Sequence, residues 1–121
     1  MPASPQPKLY GIPNCDTVKK ARAWLDTQGV SYEFHDFKKQ GVPDARLGAW
    51  AQAVGLNVLI NRRGPTWRKL DAATQASAAD AAGARHVMQA HSSVIKRPVV
   101  EWPDGAITVG FDATVWAARV R

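Results

Sequence analysis

The chain has 121 residues, 45% of them hydrophobic, and its 16 Lys and Arg against 10 Asp and Glu give a formal charge of +6. That length fits one ordinary domain, and five tryptophans spread from Trp24 to Trp116 supply apolar surface for a core without disulfide staples. No apolar run approaches the roughly 20 residues that span a bilayer, and the stretch Met1 to Pro7, with three prolines, has no signal-peptide core, so a soluble cytoplasmic protein is expected.

The positive balance favours anionic partners through long-range attraction. Its members come in small dispersed groups, Lys19-Lys20, Lys38-Lys39, Arg62-Arg63, Arg68-Lys69 and Lys96-Arg97. A nucleic-acid arm concentrates charge in one segment, so this spacing argues for a solvated basic surface and against nucleic acid. A single cysteine excludes an internal disulfide.

Residues 1–7 read as a loose N-terminal end and residues 8–121 as a single domain. Lys8 to Ile12 is a short apolar run closed by Pro13-Asn14. Asp16 to Gln28 then places Val18, Ala21, Trp24 and Leu25 at helical spacing, with Gly29 as the stop. Ser31 to Phe37 has the aromatic content of a strand. The first third is therefore β-α-β, and a crossover of this length predicts a parallel pair.

Pro43 to Ala53 and Ala72 to Gln89 are Ala-rich with helical periodicity. Between them, Leu56 to Leu70 contains Asn61-Arg62-Arg63-Gly64-Pro65 and reads as loop followed by a short helical turn. Strand signals return at Pro98 to Trp102 and Ala106 to Val109, joined through Pro103-Asp104-Gly105, which predicts a hairpin. Asp112 is the expected N-cap of a terminal helix over Ala113 to Val120, with Val115 and Trp116 on its apolar flank. The order of elements predicts an α/β domain with a mixed sheet of about four strands and helices on both faces.

Cys15 follows a predicted strand and opens a predicted helix, where unpaired N–H groups and the positive end of the dipole favour a thiolate. A lone cysteine is more often an inert buried side chain than a nucleophile, and the strand-to-helix junction, where a thiol loses its proton below the ordinary pKa, brings the two readings level. Lys19, one turn on, can add positive charge. Val18 stands where a Cys-x-x-Cys partner would be, so any mixed disulfide on Cys15 must be resolved by an external thiol such as glutathione. His35, His86 and His91 lack metal-ligand spacing, and no metal is expected. Arg97, followed by the rigid Pro98 at a strand start, offers either a fixed fork for a carboxylate or oxyanion, or an ordinary surface pair.

Four separated blocks, Tyr10-Gly11-Ile12-Pro13-Asn14-Cys15-Asp16-Thr17-Val18-Lys19-Lys20-Ala21, Asn61-Arg62-Arg63-Gly64, Trp67-Arg68-Lys69-Leu70 and Ile95-Lys96-Arg97-Pro98, resemble the YffB-type branch of the arsenate reductase/Spx (ArsC-like) superfamily. The resemblance implies a thioredoxin-like fold with a helical insertion over about residues 41–95, and a cis peptide bond before Pro98. It also implies a glutathione-dependent thiol reductase with Cys15 as nucleophile. Asn14, Lys19, Asn61, Arg63, Arg97 and Pro98 are then expected around the substrate, with Arg97 and Arg63 on the glutathione carboxylates.

Glutathione is the implied co-substrate, with glutaredoxin as a further partner. An alternative within the same superfamily is a Spx-like regulator binding the RNA polymerase α subunit, although the Cys-x-x-Cys switch of such regulators is excluded by Val18. Arsenate reductases of the superfamily place a histidine four residues before the cysteine and three arginines around the oxyanion. Here Gly11 takes the histidine's place, Arg97 keeps one arginine, Asn61 or its neighbours Arg62 and Arg63 approximate the second, and the region of Gly110-Phe111 supplies no third. At about 1.5 to 3 kcal/mol for each charged hydrogen bond, weak arsenate reduction at most is expected.

Overall fold

A computed structural model of the chain describes residues 5–120; the tip of the expected loose end, residues 1–4, and Arg121 lie outside it. The described residues form two compact units, 5–36 with 97–120, and 37–96. No helix among them is long and apolar enough to cross a membrane.

The first unit holds a four-stranded sheet of β1 (Lys8–Gly11), β2 (Glu33–Asp36), β3 (Val99–Glu101) and β4 (Ile107–Val109), in the order β2-β1-β3-β4. β1 runs parallel to β2, while β1 with β3 and β3 with β4 are antiparallel. Pro7 is buried, and its carbonyl accepts from the Glu33 N–H at 3.0 Å. This mixed sheet, interrupted between β2 and β3 by helices, is the α/β, thioredoxin-like fold with a helical insertion.

Helix α1 (Asp16–Thr27) crosses over between the two parallel strands. It ends where Gly29, at φ +70°, lets its own N–H reach the Asp26 carbonyl and the Val30 N–H reach that of Leu25, a double closure that satisfies the last turn. The hairpin closes where Gly105, at φ +92°, donates to the Trp102 carbonyl at 2.9 Å and Trp102 N–H bonds the Ala106 carbonyl at 2.8 Å. Helix α8 (Ala113–Arg119) is capped as expected, Asp112 Oδ1 accepting from the N–H groups of Thr114 and Val115 at 2.9 and 3.2 Å.

Both helices pack on one sheet face. Leu9, Val100 and Trp102 meet Val18, Ala21 and Leu25 of α1 and Trp116 of α8. The Trp116 indole is at the centre of the aromatic packing, edge-on to Phe111, Trp102 and Trp24 at centroid distances of 4.8, 5.2 and 6.0 Å. Val115, expected on the apolar flank with Trp116, is instead 47% exposed, because Trp116 alone turns into the core from that turn of the helix. On the opposite sheet face the Tyr10 ring lies 5.0 Å from that of His35, and its hydroxyl donates to Glu101 Oε1 at 2.7 Å.

The second unit comprises α2 (Phe37–Gln40), α3 (Asp44–Val54), α4 (Leu56–Leu59), α5 (Pro65–Lys69), α6 (Ala72–Ser77), α7 (Ala81–Ala90) and a 3-10 turn at Ser92–Val94. Trp50, Leu47, Leu59, Val87, Met88 and Ile95 are buried in it. Phe37 differs from its sequence reading. It opens α2 instead of ending the strand, and its ring sits 6.3 Å from that of Trp50.

The single Ala-rich helix expected over Ala72 to Gln89 is two helices. Asp80 caps the second by accepting from Gly83 N at 2.7 Å, and the Ser77 carbonyl oxygen comes so close to Gly83 that it fills the place a Cβ would take. The stretch read as loop before α5 is partly helical, as α4. It is followed by an antiparallel bridge in which Asn61 N donates to Val94 O at 2.7 Å and Lys96 N to Leu59 O at 2.8 Å.

Candidate functional site

Cys15 lies at the N-cap of α1 in extended backbone conformation, φ −136° and ψ 125°, after the Ile12-Pro13-Asn14 turn that leaves β1. The helix opens with Lys19 N donating to the Cys15 carbonyl at 2.8 Å. The side chain is half-buried, packed against the core that holds Val18 and Trp116. It closes no strict capping bond with its sulfur, yet the first-turn N–H groups face it.

Partial burial works to raise the Cys15 pKa. Against it act the Val18 N–H, the Arg97 guanidinium by hydrogen bond and by charge, and the Thr17 N–H, and together they hold the thiol below its ordinary value. The physical cause is simple: each of these groups presents positive charge to the sulfur and is worth more when the sulfur is an anion.

Arg97 comes from the far end of the chain, two residues before β3, and it reaches Cys15 because β1 and β3 are sheet neighbours. The Arg97-Pro98 peptide is cis. Pro98 is buried, and its carbonyl accepts from Gly110 N at 2.9 Å, which ties this strand start to the end of β4. Lys19 is the cation expected to act on the thiol and Arg97 is expected at a carboxylate or oxyanion, but the cation that acts on the sulfur is Arg97; Lys19 and Asn14 are exposed beside Cys15 in sequence.

Asn61 and Arg63 belong to the second unit. Asn61 Oδ1 accepts from Arg63 N at 3.2 Å and Asn61 O from Gly64 N at 3.3 Å, which shapes the turn before α5; the Arg63 side chain is exposed. Arg62 lies over the Trp67 ring, 5.4 Å from its centroid.

The helix N–H groups expected near the sulfur are those of Val18 and Thr17. One feature escaped the sequence reading. Gly11, where arsenate reductases have a histidine, has no space for any side chain: a Cβ there would lie 2.9 Å from Val18 Cγ2. The signal was a glycine at a strand end with a β-branched residue one helical turn after the cysteine. Among the described residues no group of three or more His, Cys, Asp or Glu is placed to hold a metal ion.

Comparison with known proteins agrees with this fold. The model of the ArsC family matches residues 10–118. An uncharacterized protein of Haemophilus influenzae is 36% identical over 110 residues, covering 91% of this chain and 95% of the relative. The solved structure of a YffB protein is 45% identical and superposes with a TM-score of 0.89, covering 96% of this chain and 100% of the other. An arsenate reductase (ArsC) related protein from Brucella melitensis is 43% identical with a TM-score of 0.74, covering 100% of this chain and 99% of its own. With sequence and fold matched over nearly its whole length, the chain belongs to the ArsC family, as a YffB-type member of this superfamily of thiol-based reductases.

Proposed function

We propose that this protein is a glutathione-dependent thiol-disulfide oxidoreductase that works through Cys15 alone, in the cytoplasm. The observation that carries the reading is the sulfur itself: half-exposed, held below its ordinary pKa, and faced by the Arg97 guanidinium. A thiolate of this kind is a nucleophile toward disulfide sulfur.

In the proposed cycle the Cys15 thiolate attacks the glutathionyl sulfur of a mixed disulfide. A Cys15–glutathione disulfide forms, the original S–S bond breaks, and the substrate leaves as a thiolate that takes a proton from water. A second glutathione thiolate then attacks the glutathionyl sulfur of the adduct, releasing glutathione disulfide and regenerating the Cys15 thiolate. Over the cycle one glutathione thiol is consumed, the substrate leaves as a free thiol, and the glutathionyl group it carried departs in glutathione disulfide, so one disulfide is exchanged for another with no net change in their number. No second protein cysteine is needed, in keeping with a chain that has only one. A guanidinium carries five N–H donors in one plane, so Arg97 can act on the sulfur and also orient a glutathione carboxylate. Asn14 and Lys19 flank the same turn as further polar contacts, and glutaredoxin can take glutathione's place as the resolving thiol.

The test is turnover of a glutathione mixed disulfide with reduced glutathione, followed as NADPH oxidation through glutathione reductase. Turnover that vanishes in Cys15→Ser is expected, with arsenate a poor substrate in the same assay. Robust arsenate turnover with none on the mixed disulfide would move the reading to arsenate reduction. Binding of the RNA polymerase α subunit by a protein inert to both substrates would move it to a regulator.

A further inference from the structure

Gly11 ends β1 on the sheet face that α1 covers, directly beneath the first turn of the helix. Its φ is not positive, so the backbone there makes no demand for glycine. The demand is for space, since an added Cβ would come within 2.9 Å of Val18 Cγ2 and 3.5 Å of Cγ1. Real Cβ atoms do not approach that closely, and Val18 has no easy retreat. It is fully buried, it belongs to the core with Leu9, Ala21 and Trp116, and its β-branched side chain is confined to one χ1 well in a helix. Glycine within a strand weakens the strand, so its presence at this position is consistent with a close approach.

We propose that Gly11 is a positioning residue for the Cys15 site: by carrying no side chain it lets Val18 seat against β1, which fixes the first turn of α1 with its N–H groups toward the sulfur. The inference rests on reading Cys15 as the reactive thiol, and it extends that reading from groups that touch the sulfur to one that does not.

The Val18 N–H is the foremost of the groups that favour the thiolate, and hydrogen bonds weaken steeply as angle and distance degrade. A Cβ at residue 11 pushes Val18 outward and carries its N–H with it. The effect falls on the thiolate before it falls on the fold, because the rest of α1 is held independently by Ala21, Leu25 and the Gly29 closure.

The test titrates the single cysteine by thiolate absorbance and by iodoacetamide alkylation across pH, in wild type, Gly11→Ala, Val18→Ala and the double variant Gly11→Ala/Val18→Ala. Circular dichroism monitors the fold. Gly11→Ala is expected to raise the Cys15 pKa and slow alkylation near neutral pH by about threefold, the net of a smaller thiolate fraction and a more basic nucleophile. The double variant, in which the new methyl meets a smaller neighbour, is expected to recover most of that loss.

A folded Gly11→Ala protein with unchanged Cys15 pKa and rate overturns the proposal and leaves the Cys15 reading standing. An ordinary thiol pKa in wild type overturns both. If Gly11→Ala fails to fold, the decision passes to the other pair. A double variant whose Cys15 pKa lies closer to wild type than that of Val18→Ala supports the coupling, and one indistinguishable from Val18→Ala overturns it.

Discussion

Replacing Arg97 by alanine is expected to slow the reaction of Cys15 with oxidised glutathione by about a hundredfold, or roughly 2.7 kcal/mol. Two losses combine. The sulfur loses a hydrogen bond and a positive charge that hold its pKa down, and the proposed glutathione site loses a charged donor to a carboxylate, worth about 1.5 to 3 kcal/mol.

They separate by substrate and by pH. A small neutral disulfide has no carboxylate, so its reaction is expected to slow only through the thiolate fraction, by about threefold near neutral pH. The midpoint of rate against pH moves up in the variant, and well above it the difference with the neutral disulfide closes while that with glutathione disulfide persists. Arg97→Lys keeps the charge and loses the planar fork, for a loss of about tenfold with glutathione disulfide. Equal slowing of both disulfides would confine Arg97 to tuning the thiol. The same linkage has a sign for stability: the contribution of the Cys15 thiolate is present above the unfolded thiol pKa and is lost as pH falls through the lower folded value.

Trp116→Ala is expected to destabilise the protein by about 3–5 kcal/mol, the range for removing a large buried aromatic. Trp116 is 1% exposed, and its loss opens a cavity among Trp24, Trp102 and Phe111, rings contributed by α1, the hairpin and the entry to α8. Trp116 is the largest fully buried side chain among the described residues of this unit, so partial collapse recovers little. Against a total stability of about 5–15 kcal/mol, the variant should melt about 10–20 °C lower. Val115→Ala, one residue away and 47% exposed, is the control and should change stability by less than about 0.5 kcal/mol. Similar melting temperatures for the two variants would mean that the aromatic cluster does not hold this unit together.

The parts of this fold that were legible in the sequence are those whose signals are local. The β-α-β start could be read because Val18, Ala21 and Leu25 share a helical face and Gly29 supplies the left-handed closure. The hairpin and the final helix could be read because Gly105 and Asp112 do by local geometry what their residue types favour.

What the sequence hid was decided by caps, close approaches and packing that periodicity and composition do not display. Helical periodicity runs straight through Ala78-Ala79-Asp80, and the break there comes from Asp80 acting as a cap and from the Ser77 carbonyl occupying the space over Gly83. Phe37 has a strand's composition but its ring packs beside Trp50, which draws it into α2. At the site, proximity in sequence pointed to Lys19, whereas the pairing of β1 with β3 brings Arg97 to the sulfur from 82 positions away (97 − 15). Gly11 could be recognised as replacing a histidine, but not as the space that Val18 fills.

The central claim is that Cys15 is a thiolate that accepts glutathione, and intact-mass analysis after incubation with oxidised glutathione tests it most directly. The account predicts that the folded wild-type protein gains one glutathionyl group near neutral pH, that reduced glutathione removes it, and that Cys15→Ser gains none. A folded wild-type protein that stays unmodified, while the denatured chain takes up glutathione at Cys15, would contradict it.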